Sequence, residues 1–400
     1  MAHQNHTAEI QNPGPYRIAP TTKTLFGVSA VIGIIATVAA LYLSPQRAWP
    51  NFLINYFFFL MLGLSGAFFT ALQHITNAYW SVTVRRMAES LMSYLPVALV
   101  LAVPLVLGRH HLYEWTHHGV TDHDTILKSK EAYLNTGAWV FRLVLFFGLW
   151  LFLGFKMRKN SLMQDLNGDD KYTLSNVKLS TAFLPIFAVS FSLMAVDLLM
   201  SLEPHWFSTM YGVYCFAGLF YSGLALLAIL IIAGRRKGLF TDQMINVNHL
   251  HDVGKLMFAF TVFWGYIMFS QLMLIWYANI PEETPYYIRR FHGGWWPYSV
   301  MLFVLHFVVP FFGLLPREAK RCESYLKWMA FLMLFSQWLD VYYLVMPVFF
   351  AEGPVFGWVE VGTFFGFLGV FGISVGRFLE RNPAIPLKDP RLAQCLAHTQ

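Results

Sequence analysis

Charged residues are scarce in this sequence. Only 12% of its 400 residues are Asp, Glu, Lys or Arg, whereas soluble globular proteins typically contain about 25%. Hydrophobic residues make up 56% of the chain. This composition excludes an ordinary soluble domain and predicts an all-α polytopic membrane protein. The net charge of +6 does not indicate nucleic-acid binding, because the basic residues lie in loops on one side and form no single patch.

Cysteine and intramembrane histidine are also rare. Cys215, Cys322 and Cys395 lie far apart, with no CxxC or CxxCH motif, which excludes a conventional iron–sulphur or c-type haem site within this chain. A b-type haem needs two axial histidines on facing helices, but only His306 lies well inside an apolar run, and His74 lies at the end of another. No GxxxxGK[ST] loop is present, which excludes ATP as the driving force. The sequence therefore predicts that this chain binds no redox cofactor.

Ten apolar runs are long enough to cross a membrane, which requires about 20 residues. They are residues 25–43, 52–73, 91–107, 137–155, 181–202, 207–233, 254–277, 297–315, 328–350 and 356–377. The first run is too long for the apolar part of a signal peptide, so we predict that it is retained as a helix. Residues 1–24 and 378–400 are then terminal tails, and residues 25–377 form the membrane domain.

An even number of helices places both tails on the same side of the membrane. The tails and the loops on that side, together with Arg377 at the end of the tenth run, hold 20 Lys and Arg residues, and the other loops hold six. The positive-inside rule therefore predicts cytoplasmic termini. The opposite loops carry several tryptophans, as expected of an aromatic belt at the membrane interface. These are Trp49, Trp115, Trp206, Trp295 and Trp296.

The loop of residues 108–136 is rich in histidine. It contains His110, His111, His117, His118 and His123. A metal site is conceivable, but the spacing fits no standard site and no cysteine supports it. We favour a solvated or partner-facing loop.

Small residues form stripes on the two terminal helices. In helix ten they are Gly362, Gly366, Gly369, Gly372 and Gly376, and a weaker stripe in helix one consists of Ala30, Gly33, Thr37 and Ala40. Such spacing allows close approach of helix backbones. We therefore predict that both helices pack closely against other helices, including those of other subunits.

Ionisable residues lie at several depths in the predicted helices. A charge within hydrocarbon costs at least about 2.5 kcal/mol, so such residues are candidates for function. The candidates for a proton path are Arg142, Asp197, Glu203, His205 and Glu360 towards the external surface, His306 and Asp340 near mid-membrane, and Lys255, near His249, His251 and Asp252, towards the cytoplasm. Two interpretations remain open. The residues form a proton relay, or they form a structural polar network in which Arg142 and Asp197 are a buried pair.

Asp340 is the central candidate for a relay. It lies about 18 Å from the cytoplasmic end of helix nine, close to the middle of the membrane. No Lys or Arg lies within seven residues of it, so desolvation favours a proton carrier over a fixed anion. We predict that Asp340 faces the interior of the second bundle, near His306, and connects towards Asp197 through hydroxyls or water.

Two long motifs resemble a known family. They are SLEPHWFSTMYGVYCFAGLF and HDVGKLMFAFTVFWGYIMFSQLMLIWYANIPEETPYY. With them the chain resembles membrane subunits of the NrfD/polysulphide-reductase type, and specifically the F-subunit (ActF) family of alternative complex III, the bacterial quinol:cytochrome c (or other electron acceptor) oxidoreductase. The resemblance extends over nearly the whole chain. It implies a bacterial inner-membrane protein with two four-helix bundles, helices two to five and six to nine, flanked by helices one and ten.

The resemblance also implies partners. They are a second NrfD-like subunit, an iron–sulphur subunit and c-type cytochromes, which together use menaquinol or another quinol. In such complexes the other NrfD-like subunit is the better candidate for quinol oxidation, and the F subunit contributes proton movement and scaffolding.

Several functions are consistent with these features. The first is a membrane subunit that contributes a proton path and anchors redox subunits. The alternatives are a purely structural anchor, the quinol-binding subunit itself, and an independent secondary transporter. The transporter is disfavoured because no clear inverted repeat or matched broken helices are present. For a quinone site the candidates are His205, Trp206 and Tyr211, with Asp197 as proton acceptor, although interfacial aromatics are equally well explained as a belt.

Overall fold

The computed structural model describes residues 12–117, 119–120 and 124–398, and this part of the chain is almost entirely helical, with no β-strand. Ten helices are long and apolar enough to cross a membrane. They are α1 (Pro20–Leu43), α2 (Pro45–Ile75), α3 (Val82–Leu107), α4 (Thr136–Asn167), α5 (Lys171–Leu202), α6 (Tyr211–Arg236), α7 (Val247–Ala278), α8 (Trp295–Leu314), α9 (Glu323–Phe349) and α10 (Trp358–Arg381). The predicted all-α polytopic membrane fold is confirmed.

Short helices occupy some of the connections. They are Arg109–Leu112, Glu114–Thr116 and Thr125–Lys130 between α3 and α4, Pro285–Phe291 between α7 and α8, Arg317–Arg321 between α8 and α9, and Leu392–Leu396 after α10. Residues 12–19 and 382–398 lie on one side of the bundle, which we call the terminal side. The other side is the opposite side.

Local chemistry sets several helix ends. The side chain of Asn135 accepts a hydrogen bond from the backbone N–H of Ala138 at the start of α4, 2.8 Å away, and Asn246 caps α7 in the same way. Such caps satisfy N–H groups that have no partner within the helix. Gly168 (φ 69°) and Asn279 (φ 49°) end α4 and α7 in the left-handed conformation, which Gly and Asn adopt most readily.

Helix α3 begins nine residues before the predicted span. The additional turns contain Arg85, Arg86 and Glu89, all buried. An apolarity criterion excludes these residues, because it penalises charge and does not detect that neighbouring charges neutralise one another.

The helices form two four-helix bundles. In the first, α2 and α4 each pack against α3 and α5, and in the second, α6 and α8 each pack against α7 and α9. Helix α2 also contacts α6 and α9, which joins the bundles and buries α2 along nearly its whole length. The pair α1 and α10 packs against α2 and α3.

The small-residue stripes of α1 and α10 face each other. A Cβ added at Gly33 would clash with the backbone of Gly366, and one added at Gly369 would clash with the backbone of Ala30. The close packing predicted for these helices is therefore between the two of them.

The chain after α10 folds back onto the terminal side. Asp389 is buried and forms an ion pair with Arg85 at 2.6 Å, and Cys395 is completely buried. This segment, residues 382–398, covers the ends of α3 and α7.

Candidate functional site

A cavity of about 290 Å³ lies in the second bundle, near the opposite side. Helices α6, α7, α8 and α9 form its walls, and the short helix Pro285–Phe291 covers it. Most of its lining is aromatic. The residues from the two motifs that carry the family resemblance are Tyr211 and Tyr214 from the first and Trp264, Met268, Phe269, Gln271, Leu272, Tyr286 and Tyr287 from the second. The two motifs thus build one site.

The cavity opens towards the lipid-facing surface. Its inner lining includes the buried Tyr214 and Trp264, whereas Phe269, Val300 and Phe303 line it and are exposed. The exposed residues lie on α7 and α8 at the depth of the membrane. A ligand can therefore enter laterally from the bilayer.

Behind the inner wall lies Asp340, which is 1% exposed. The hydroxyl of Tyr214 donates a hydrogen bond to Oδ1 of Asp340, and Nε2 of Gln337 donates to Oδ2 at 3.1 Å. In the described part of the chain, its hydrogen-bond partners are neutral. A buried carboxyl group among neutral partners is chemically suited to accept and release a proton.

His306 lies in a π-helical turn, Val304–Val308, of α8. Its ring stacks between Tyr221, at a centroid distance of 4.2 Å, and Trp264, at 3.9 Å. Neither ring nitrogen forms a hydrogen bond of good geometry, although the backbone of Ser336 lies close. Such π-turns occur frequently at functional sites.

His306 and Asp340 lie in two neighbouring polar groups, together called the polar cluster here, and no hydrogen bond among the described residues joins the two groups. The hydroxyl of Tyr221 donates to the backbone carbonyl of His306 at 3.1 Å and lies 3.3 Å from Oγ of Ser336. Ser336 precedes Asp340 by one helical turn, and Tyr221 follows Tyr214 by two turns. The cluster therefore leads from the cavity wall towards the centre of the second bundle.

Glu203 holds the cover of the cavity in place. Its Oε1 lies 2.8 Å from Nη1 of Arg289 and 3.3 Å from Nη1 of Arg290. The guanidinium of Arg290 stacks on the ring of Tyr286 at 3.5 Å and donates to the carbonyl of Leu344 at 3.1 Å. Burial raises the pKa of Tyr286 well above its usual value, so its hydroxyl remains a hydrogen-bond donor.

Two of the three quinone-site candidates come together, because the rings of Trp206 and Tyr211 meet edge to face at a centroid distance of 5.8 Å, whereas His205 lies apart. Tyr211 lines the cavity, and Trp206 stacks on Tyr286 at 3.9 Å, behind the lining. His205 is exposed, and its Nε2 lies 2.5 Å from Oδ2 of Asp124 in the loop between α3 and α4. This hydrogen bond is the largest cause of the lowered pKa of Asp124. His205 therefore belongs to the surface of the first bundle.

Arg142 and Asp197 form a buried ion pair in the first bundle. Nε of Arg142 donates to Oδ2 and Nη2 donates to Oδ1 of Asp197, each at 2.8 Å. The guanidinium also stacks on Tyr133 at 3.8 Å. The pair joins α4 to α5, and no hydrogen bond among the described residues connects Asp197 to Asp340.

Glu360 and Lys255 also lie away from the cavity. Glu360 accepts hydrogen bonds from Nε of Arg47 at 2.7 Å and Nδ2 of Asn51 at 2.8 Å, which join α10 to α2. Lys255 lies 2.6 Å from Asp252 on the terminal side. Both acidic residues in these contacts therefore have a cationic neighbour, unlike Asp340.

One charged cluster has no counterpart among the sequence predictions. On the terminal side, Glu89 lies 3.6 Å from Nε of Arg85 and 3.5 Å from Nη1 of Arg86, and Arg86 pairs with Asp165 at 2.5 Å. Asp389 completes the cluster. The spacings of three and four residues between the arginines and Glu89 are those of helical ion pairs, and this was the available signal in the sequence.

The histidine-rich loop is only partly described. His110 stacks on His117 at a centroid distance of 6.0 Å, and His118 and His123 lie outside the described residues. Within residues 12–117, 119–120 and 124–398, no group of three or more His, Cys, Asp or Glu side chains could hold a metal ion.

Comparison with known proteins adds no family assignment: no protein-family model matches this chain, and no curated protein matches it significantly. The fold defines a ten-helix membrane protein of two bundles, with a polar cluster behind a lipid-facing cavity. The function is therefore argued from this site.

Proposed function

We propose that this chain is an integral membrane subunit, without a redox group of its own, of a quinol:electron-acceptor oxidoreductase of the alternative complex III type. In this proposal it contributes a proton path through its second bundle and anchors the redox subunits. The observation that carries the proposal is the pair of Tyr214 and Asp340, which lies directly behind a cavity open to the bilayer.

Quinol oxidation in the proposed assembly would release protons, and a pair such as Tyr214 and Asp340 would supply a path for them. A quinol that becomes a quinone releases two electrons and two protons. In this proposal the electrons would go to iron–sulphur clusters or c-type haems held by partner subunits, and the protons would move along carriers within hydrogen-bond reach of one another. The hydroxyl of Tyr214 can take a proton from the cavity while its own proton passes to Asp340.

A second candidate is that the chain binds the quinol itself. The cavity volume of about 290 Å³ lies at the lower end of the range of ~300–1,000 Å³ for small-molecule pockets, which suits a ring without its isoprenoid tail. Gln271 bonds to the hydroxyl of Tyr287 at 3.3 Å, and Ser299 bonds to that of Tyr343 at 2.7 Å. These two pairs offer polar groups to the two ring oxygens of a quinol.

The structural-anchor alternative is supported for other parts of the chain. The ion pairs of Arg142 with Asp197 and of Arg47 with Glu360 each join two helices and leave the carboxylate held by a fixed cation. We assign these residues to scaffolding, and the cluster around Asp340 to proton transfer. The positive-inside distribution supports cytoplasmic termini, and the family resemblance supports the bacterial inner membrane.

Purification tests the complex-subunit proposal. The chain, extracted from its native membrane in a mild detergent, should co-purify with subunits that carry haem and iron–sulphur clusters. Reduced-minus-oxidised absorption spectra, electron paramagnetic resonance and mass spectrometry of the intact assembly measure this. A chain that migrates alone in several mild detergents would contradict the proposal and favour the independent transporter.

Substitution tests the proton path. Asp340→Asn keeps shape and hydrogen bonding but cannot carry a proton, and Tyr214→Phe removes the connecting hydroxyl. We expect quinol-linked proton translocation to fall by about 10²-fold in both, the scale of general acid–base catalysis. Tyr298→Phe is the control, because among the described residues this buried hydroxyl bonds to the carbonyl of Leu339 and not to the Asp340 side chain. Normal translocation in an assembled Asp340→Asn complex would exclude the relay.

A further inference from the structure

A second, larger cavity separates α10 from the second bundle. It is a cleft of about 890 Å³. The cleft exists because the pair α1 and α10 packs on α2 and α3 and leaves a gap towards α6 and α9. Its lining is almost wholly apolar. Representative residues are Phe59 of α2, Leu230 of α6, Phe335 and Trp338 of α9, and Phe364 and Phe371 of α10.

The cleft extends over the depth of a bilayer. Its lining on α10 includes residues from Glu360 to Leu379, which corresponds to about 28 Å of helix. Phe335 and Phe365 line it and are exposed, so the cleft is open to the surrounding hydrocarbon. Acyl chains, and not water, are the physically favoured filling of such a surface.

The two ends of the cleft differ in charge. At the opposite side, Glu360 is already bound by Arg47 and Asn51. At the terminal side the lining contains Lys237, Thr22 and Tyr16. The ammonium of Lys237 lies 4.7 Å from the centre of the Tyr16 ring.

Lys237 is exposed and forms no ion pair with the described residues, in contrast to its neighbour Arg235, which pairs with Asp242 and Glu323. Arg17, next to Tyr16 in the chain, is also exposed and has no ion pair within the described ranges. The terminal end of the cleft therefore combines an apolar channel with a positive charge that forms no ion pair with any acidic residue the structure describes.

We propose that the cleft binds an anionic phospholipid from the leaflet on the terminal side. Its phosphate contacts Lys237 and Thr22, and its acyl chains lie between α10 and α9. The lipid supplies the packing that the protein lacks between these helices and so holds the pair α1 and α10 against the second bundle. Basic groups at the ends of clefts between membrane helices recognise anionic headgroups in this manner.

The charge distribution favours a lipid over a helix of a partner subunit. A partner helix would fill the cleft from one end to the other. Binding of such a helix would not require an exposed cation at only one end of the cleft. A phospholipid has one charged end at the membrane interface and an apolar remainder, which matches the arrangement of Lys237 and the phenylalanines.

Native mass spectrometry of the protein with its native partners tests the proposal without any measurement of activity. The delipidated protein is titrated with palmitoyl-oleoyl phosphatidylglycerol or the matching phosphatidylcholine. We expect one tightly retained phosphatidylglycerol. Lys237→Gln should weaken its retention about fivefold, the factor that corresponds to roughly 1 kcal/mol per basic residue near a membrane surface, whereas Lys237→Arg should retain it.

Two further variants separate charge from shape. Lys178→Gln removes an exposed lysine of α5 on the same side, remote from the cleft, and should change nothing. Ala233→Phe fills the cleft near Lys237 without a change in charge, and should abolish retention. Equal retention of both lipids, unchanged retention in Lys237→Gln, or a structure of the complex with a partner helix in the cleft would each overturn the proposal.

Discussion

The ion pair of Arg142 and Asp197 permits a quantitative test of whether water reaches buried charges in the first bundle. Arg142→Leu leaves the carboxylate of Asp197, which is 2% exposed, without its cation. Asp197→Leu leaves the guanidinium instead. The double substitution removes both charges and replaces them with apolar side chains in the same space.

The expected magnitudes follow from the burial of the pair. Removal of one partner of a buried pair typically costs about 3–5 kcal/mol, and a charge within the membrane costs at least about 2.5 kcal/mol. Because the side chain of Arg142 is 12% exposed, we expect about 3 kcal/mol for each single substitution, at the lower end of the buried-pair range. The double variant should be more stable than either single variant by about 2 kcal/mol or more, because neither charge is then buried without its partner.

Unfolding in mixed micelles of dodecylmaltoside and dodecyl sulphate measures these free energies. The control is Asp169→Asn, which breaks the exposed pair with Lys171 (side chains 44% and 66% exposed) and should leave the stability almost unchanged, because water screens both charges. If Arg142→Leu also costs less than about 1 kcal/mol, or if the two single costs simply add, the pair is hydrated and the reasoning fails.

Three further predictions concern other regions. Gly33→Ala should push α1 away from α10 and destabilise the protein by about 1–3 kcal/mol, whereas Gly27→Ala in the same helix, where a Cβ meets no atom within 4 Å, should be neutral in the same unfolding assay. His306→Phe keeps an aromatic ring between Tyr221 and Trp264 but adds volume, so it should cost about 1–3 kcal/mol, and His306→Ala, which removes the ring, should cost about 3–5 kcal/mol; a smaller cost for Ala than for Phe would contradict the stacked packing. Burial opposes ionisation of Asp389, but the charge of Arg85 outweighs this and lowers its pKa, so its stabilising contribution is fully present above about pH 4 and is lost as the pH falls further, through the lowered pKa; the protection of residues 382–398 from hydrogen exchange, corrected for the intrinsic rate at each pH, should fall over that range, and constant protection would refute it.

Local patterns in the sequence were sufficient to predict the ten helices, but not how they pack. Length and apolarity of a run are properties of neighbouring residues, so the ten helices followed from them. The glycine spacing in α10 likewise indicated a close helix contact. Two bundles were implied by the resemblance to a family, and the packing of the helices confirms them.

The candidate site depended on contacts between distant residues. Tyr214 was not predicted to bond to Asp340, because 126 residues separate them and neither carries a local signal for the other. His205 and Trp206 are adjacent in sequence but face different bundles, a difference set by the turn after α5. Glu89 was missed because α3 extends beyond its apolar run. The cost of burying its charge is offset by pairing with Arg85 and Arg86, which the search for apolar runs does not take into account.

The central position of α2 has a consequence for biogenesis. It emerges before α3 to α10 during synthesis, yet Asn55 accepts its hydrogen bond from Trp338, 283 residues later, and Asn51 bonds to Glu360, 309 residues later. During insertion these amides must therefore remain without their final hydrogen-bond partners, either in the bilayer or in contact with the insertion machinery. We expect the bundles to assemble only after α10 has entered the membrane. Chains truncated before α9 should then leave the polar side chains of α2 unpaired, and membrane quality control should recognise them.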